Sequence, residues 1–162
     1  MILRDATSAD EAALRAFDLG QARSRWLDEV AEILDGLLAW RDSQSEAGFD
    51  RRVIVADDEG SLVAVAAHER IEHSRLGPLP DHRYLMVVAV RKDDRRSGLA
   101  RVLTESIFTE MQADGVRTVR WLVHPRNYAS MSFSRTVFPE ADETYPPEDK
   151  PYVNFLLPLT DG

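Results

Sequence analysis

The sequence has no cysteine, which excludes disulfides and thiolate metal sites. Its four histidines show no metal-ligand pairing, so neither a structural zinc nor any other metal is expected. No apolar run approaches the roughly 20 residues that a membrane span needs. The opening MILRDATSAD lacks the basic-then-apolar layout of a secretory signal. Positive charge is scarce: 20 Lys and Arg against 28 Asp and Glu give a formal net charge of −8. That balance argues against non-specific nucleic-acid binding, which depends on neutralising phosphate. Internal repeats, low-complexity tracts and a dividing linker are missing too. These absences point to a cytoplasmic globular protein with no membrane and no nucleic-acid partner. Its 162 residues are enough for one domain with a proper core and too few for two comfortable ones, so a single domain over 1–162 is expected.

What is present alternates strand and helix signals. ILRDAT reads as a short first strand, after which Ser8 or Asp10 can cap a helix reaching about Leu19. In SRWLDEVAEILDGLLAWRDSQ, the residues Trp26, Leu27, Val30, Ile33, Leu34, Leu37 and Leu38 form one apolar stripe of helical period. RVIVADDEGSLVAVAAHERI contains two β-branched runs separated by Asp57–Ser61, a hairpin signal with Gly60 available for positive φ. YLMVVAV, Tyr84 to Val90, is apolar without alternation, as expected of a strand buried on both faces. A helix is predicted from Gly98 to about Met111 or Gln112, with Gly115 just past its end. VRTVRWLV is a further strand, and Asn127 can cap a short helix to about Val137 before the last strand, PYVNFLLPL. The expected order is β-α-α-β-β-β-α-β-α-β, with one more strand around residues 140 to 145. This is an α+β fold on a mixed sheet.

Against its acidic background, the chain gathers Arg91, Lys92, Arg95, Arg96 and Arg101 around Gly98 in VRKDDRRSGLARVL, where a strand hands over to a helix. The first turn of a helix leaves N–H groups unpaired and carries about half a positive charge. A glycine there lets the backbone approach a ligand with no Cβ in the way, and Ala100 keeps the next turn nearly as bare. Arginines beside such a turn can grip phosphate oxygens in bidentate fashion. The stretch has neither the GKS or GKT ending of a nucleoside-triphosphate loop nor the GxGxxG of a dinucleotide fold.

Arg95-Arg96-Ser97-Gly98-Leu99-Ala100 directly after an apolar strand resembles the acyl-CoA pyrophosphate loop of the GNAT superfamily of N-acyltransferases, whose signature is Q/R-x-x-G-x-G/A. VHPRNYASMSF resembles the family's second landmark, an asparagine (Asn127) opening a helix with a small residue (Ser130) three positions on. The element order and the closing YVNFLLPL match as well. The resemblance implies a central sheet splayed between the fourth and fifth strands, with the pantetheine arm entering the gap. Main-chain groups over Val88, Ala89 and Val90 would pair with that arm like an added strand. The amides from Arg96 through Ser97, Gly98 and Leu99 to Ala100 would hold the pyrophosphate, assisted by Arg95, Arg101 and Asn127.

The implied reaction is acetyl transfer from acetyl-CoA to a primary amine by direct attack on the thioester. Among His124, Glu69, Glu72 and His68, the candidates for the base are His124, whose ordinary pKa of about 6.5 suits neutral pH, and Glu69, acting through a water. One departure stands out: the family often places a tyrosine seven residues after the asparagine, and this chain has Ser134 there. Serine is a far weaker acid than phenol, so Ser134 can hydrogen-bond the sulfur but is a poor proton donor. A catalytically silent acyl-CoA-binding module therefore stands as the alternative. PEADETYPPED, with Glu140, Asp142, Glu143, Glu148 and Asp149, points to a cationic acceptor, a small amine or a peptide N-terminus. Similar proteins are commonly homodimers.

Overall fold

The computed structural model describes residues 1–17, 52–70, 81–145 and 151–159. The helix expected over the stripe from Trp26 to Leu38, and the residues Glu72, Glu148 and Asp149, lie outside these. The described elements run β1 (Ile2–Asp5), a 3-10 turn (Ser8–Asp10), α1 (Glu11–Arg15), β2 (Arg52–Asp58), β3 (Ser61–Arg70), β4 (His82–Val90), a second 3-10 turn (Lys92–Asp94), α2 (Leu99–Ala113), β5 (Thr118–Val123), α3 (Tyr128–Val137), β6 (Asp142–Thr144) and β7 (Val153–Pro158). The seven strands form a mixed sheet in the order β1-β2-β3-β4-β5-β7-β6. The extra strand expected around residues 140 to 145 is β6. The chain divides into two compact units, Met1–Glu69 with Val87–Ser106 and Arg70–Met86 with Ile107–Gly162.

In the first unit, β2 and β3 pair antiparallel through the turn at Glu59 and Gly60, with φ of 53° and 88°. Two successive positive φ values suit the twist of a tight hairpin, and Gly60 adopts its value without steric cost. Asp57 secures the turn by accepting the Gly60 N–H at 2.8 Å. β1 adds antiparallel to β2. Asp10 stands at the N-cap of α1, but its carboxylate does not cap the helix. It takes the Arg4 guanidinium through two 2.8 Å bonds and the Thr7 N–H at 2.7 Å. The predicted helix also ends at Arg15, short of Leu19.

The strand buried along its length is β3, where every residue from Leu62 to His68 is buried. β4, expected to be enclosed on both faces, is half-buried, and Leu85 alone is fully covered. Its parallel pairing with β5 explains the difference. Among the described residues the ladder consists of His82–Thr118, Arg83–Val119 and Tyr84–Arg120, although β4 continues to Val90. An unbroken apolar run signals full burial only where neighbours flank the whole strand.

In the second unit, β5 and β7 pair antiparallel over six residues, and β6 pairs with the outer edge of β7. Val119, Trp121 and Val123 alternate with more open positions, as do Val153, Phe155 and Leu157, so one face of this sheet is the core. Trp121 stacks on Phe155 (5.4 Å between ring centroids, 5° between planes) and meets Phe138 edge-on. Phe108 of α2 and Phe138, at the end of α3, pack against each other at 5.2 Å. α2 ends in a Schellman turn: Val116 N–H bonds Met111 O at 2.9 Å, Gly115 N–H bonds Gln112 O at 3.0 Å, and Gly115 takes φ 82°. No helix among the described residues is long and apolar enough to cross a membrane.

Candidate functional site

The basic stretch between β4 and α2 is folded by short-range bonds. Arg91 N–H donates to Val63 O at 2.9 Å, which ties the end of β4 to β3. Lys92–Asp94 makes one 3-10 turn, after which the chain turns left-handed twice, at Arg96 (φ 66°) and at Gly98 (φ 82°). The Ser97 hydroxyl donates to Asp94 O at 2.6 Å and accepts the Leu99 N–H at 3.3 Å. Val102 N–H reaches back to Gly98 O at 3.1 Å, so Gly98 is the hinge on which α2 starts.

The consequence is a fan of free donors. The N–H groups of Arg96, Ser97, Gly98 and Ala100 meet no acceptor in the protein among the described residues. A Cβ built on Gly98 would meet no atom within 4 Å, so the space beside Gly98 is open. Successive backbone N–H groups in alternating hand, at the start of a fifteen-residue helix, make an anion cradle. Donor geometry and open space both fit the diphosphate of a coenzyme A molecule.

The side chains around the fan divide their charge. Arg91 is engaged by Asp94 at 2.6 Å and by the Ser61 hydroxyl at 2.8 Å, and Arg101 by Glu105 at 2.7 Å. The Asp94 contact pushes the Arg91 pKa further up. Arg95 leans on Val90 O at 3.3 Å. Lys92 and Arg96 are exposed and pair with no acid among the described residues. Of the five cations counted in the sequence, Arg91 and Arg101 are thus neutralised by Asp94 and Glu105.

The remaining sequence candidates fall in different surroundings. Glu69, half-buried, is the penultimate residue of β3, and His68 beside it is buried at 4% exposure. Asn127 caps α3 as expected, its Oδ1 accepting the Ser130 N–H at 3.2 Å. His124 closes the same turn with its carbonyl, which accepts the Asn127 N–H at 2.8 Å. Its Nδ1 accepts the Arg126 N–H at 3.1 Å, and its ring stands edge-on to Tyr152. A neutral imidazole that accepts at Nδ1 carries its proton on Nε2. Ser134 is turned into the core at 2% exposure, where its Oγ accepts the Trp121 indole N–H at 2.9 Å. Spacing alone gave no signal for that bond, nor for the left-handed Arg96.

In the acidic stretch, Glu143 is held by Arg135 and by the Tyr145 hydroxyl, which keep its carboxyl below the usual range. Glu140 and Asp142 are exposed. No group of three or more His, Asp or Glu side chains that could hold a metal occurs among the described residues.

Residues 12–136, well over half the chain, match the family model for acetyltransferases of the GNAT family. The chain belongs to the GNAT acetyltransferase family. Its fold is the GNAT fold, as crystal structures of similar shape bear out. The ribosomal-protein-alanine N-acetyltransferase of Brucella melitensis matches with a TM-score of 0.69 at 21% identity, over 96% of this chain and 97% of that one. The PaiA N-acetyltransferase of Thermoplasma acidophilum, crystallised in complex with coenzyme A, gives 0.68 at 11% identity over 96% of each chain. An N-acetyltransferase of Staphylococcus aureus Mu50 gives 0.67 at 16% identity over 98% of each. Comparison with curated protein sequences gives no match. Membership in the GNAT family makes the chain an acyltransferase by kind.

Proposed function

We propose that this GNAT protein transfers an acetyl group from acetyl-CoA to the primary amine of a small molecule or a peptide N-terminus. The observation that carries the reading is the set of unpaired N–H groups at Arg96, Ser97, Gly98 and Ala100, opened by two left-handed residues at the start of α2. These donors, with Lys92, Arg95 and Arg96 around them, hold the diphosphate. Arg101 contributes after exchanging its Glu105 partner. The main chain over Val88, Ala89 and Val90, where β4 runs beyond its pairing with β5, receives the pantetheine arm as an added strand. Asn127 serves the cofactor from the α3 cap.

Bound acetyl-CoA supplies an activated carbonyl. The amine nitrogen forms the new C–N bond, the C–S bond breaks, and the nitrogen sheds two protons: the first leaves the ammonium before attack, and the second, released once the C–N bond has formed, passes to the departing thiolate. Glu69 takes up the first through a water. His124 carries a hydrogen on Nε2 that it can offer to the departing sulfur as a hydrogen bond, without giving it up, whereas accepting a proton at Nδ1 breaks its bond to Arg126. It therefore serves the departing sulfur better than the amine.

A second reading, a silent acyl-CoA-binding module, is favoured by one observation: the hydroxyl standing in the family's tyrosine position is committed to Trp121 inside the core. A thermal-shift titration followed by thiol-release assays on an amine panel separates the two. At about 100 times its Kd, acetyl-CoA should add about 2.7 kcal/mol of stability, with amine-dependent release of free thiol. Stabilisation without release supports the silent module. No stabilisation refutes both.

A further inference from the structure

The face of β5 opposite the aromatic core carries polar groups that the protein itself leaves unanswered. Thr118, Arg120 and Leu122 point there, since Val119, Trp121 and Val123 occupy the core side. Register places partners beside them. Tyr84 and His82 of β4 lie next to Arg120 and Thr118, and Leu156 and Asn154 of β7 lie opposite Arg120 and Leu122. Arg120 is therefore flanked diagonally by His82 on one side and by Asn154 on the other. Such neighbours are about 7–8 Å apart along the backbone, within reach of long side chains.

In this trio His82 Nδ1, Arg120 Nε and Asn154 Oδ1 are buried atoms with no hydrogen-bond partner. No carboxylate pairs with Arg120 among the described residues. The acid that register puts on this face, Asp142 opposite Leu156, is two strands away, about 10 Å at the usual strand spacing, and exposed. Buried polar atoms in native proteins are nearly always hydrogen-bonded, and three orphans clustered on one sheet face call for an external partner. The residues that carry them are only half-buried, and Leu122 beside them is 43% exposed, so the buried atoms lie next to solvent-exposed surface.

We infer that Arg120, His82 and Asn154 form a subsite for a carboxylate that has a hydrogen-bond donor close by, as the amino and carboxylate groups of an amino acid do. The guanidinium takes the carboxylate, the imidazole supports it, and Asn154 Oδ1 accepts from the neighbouring N–H. Arg120 also occupies the last rung of the β4–β5 ladder, Tyr84–Arg120, where β4 goes on without that partner. Resting on the acetyl-transfer reading, the subsite narrows the acceptor to a small amino-carboxylate rather than a peptide N-terminus, whose carboxylate lies far from its amine.

N-Acetylglycine and N-acetylglycinamide differ only in carboxylate against amide, and calorimetric titration of each into the full chain tests the subsite. The unmodified protein should prefer the carboxylate by at least tenfold, and Arg120→Met should erase that preference while keeping the melting shift with acetyl-CoA. Equal affinity for the two probes, binding of neither, or a preference that survives Arg120→Met overturns the subsite and leaves ordered water as the partner. Should Arg120→Met fail to fold, Asn154→Asp supplies an internal carboxylate to Arg120 and must abolish the preference; its survival there is equally fatal. Carboxylate preference without an acetyl-CoA shift would leave the subsite standing and refute the acetyl-transfer reading. An acetyl-CoA shift without the preference would do the reverse.

Discussion

Ser134 occupies the position where similar proteins often carry a tyrosine, and its surroundings explain what a small hydroxyl does there. Trp121 is wedged among Phe108, Phe138 and Phe155, and its indole N–H has to find an acceptor inside an aromatic cluster. Ser134 Oγ is that acceptor. Ser134→Ala leaves the N–H buried and unpaired, which should cost about 1–3 kcal/mol. Urea denaturation should register the loss while acetyl-CoA affinity is unchanged. A large fall in kcat at undiminished stability would instead give the hydroxyl a part in the chemistry. Arg96 shows the opposite economy. A left-handed non-glycine residue costs about 1–2 kcal/mol, and here it falls in the loop whose N–H groups at Arg96, Ser97, Gly98 and Ala100 meet no acceptor among the described residues.

The loop and α2 act as one element, because the first turn of the helix begins at the carbonyl of Gly98. Gly98→Glu should separate binding from folding. The new Cβ has open space but a φ of 82° that disfavours it, so stability should fall by about 1–2 kcal/mol. Its carboxylate would stand within the donor fan and repel a diphosphate. A loss of acetyl-CoA affinity on the order of 100-fold or more is expected, since opposed like charges cost several kcal/mol. Calorimetry with acetyl-CoA, beside circular dichroism to confirm folding, reads both effects. Affinity within a few-fold of the unmodified chain would remove the loop from the cofactor site. The helix ends were legible because each is made by neighbours in sequence: Asn127 with Ser130 at the start of α3, Gly115 with Gln112 and Val116 with Met111 at the end of α2. Asp10 was misread as a cap for the complementary reason, that Arg4 outbids the helix amides for its carboxylate.

At the scale of the molecule, that ion pair joins the start of the chain to the β2–β3 hairpin, since Arg4 also bonds Asp57 through Nε at 3.1 Å and Nη2 at 2.8 Å. The Arg4 contact is the main reason the Asp10 carboxyl is lowered to about 2, with the Thr7 N–H assisting against burial. Asp57 is lowered by Arg4 and then by the Gly60 N–H. A depressed carboxyl stabilises the fold above its unfolded pKa near 3.9, and the contribution disappears as pH falls towards the folded value. Stability should accordingly hold near neutrality and drop by about 2 kcal/mol for Asp10 between pH 4 and pH 2. Denaturation midpoints measured across that range in the unmodified chain and in Arg4→Met provide the check, because the variant should lose this stability at neutral pH and show a flatter acid limb. An acid limb unchanged by Arg4→Met would place the pH sensitivity elsewhere.

The succession of strands along the chain, the hairpin turn, the helix ends at Asn127 and Gly115 and the basic glycine loop could be read along the chain, because each depends on backbone conformation and on partners a few residues away. The Trp121–Ser134 bond, the Arg4 clamp, the half-open β4 and the unanswered polar trio around Arg120 could not. They arise where strands and helices distant in sequence come into register, and a pattern of apolar and polar letters does not say which side chain another strand will set beside it.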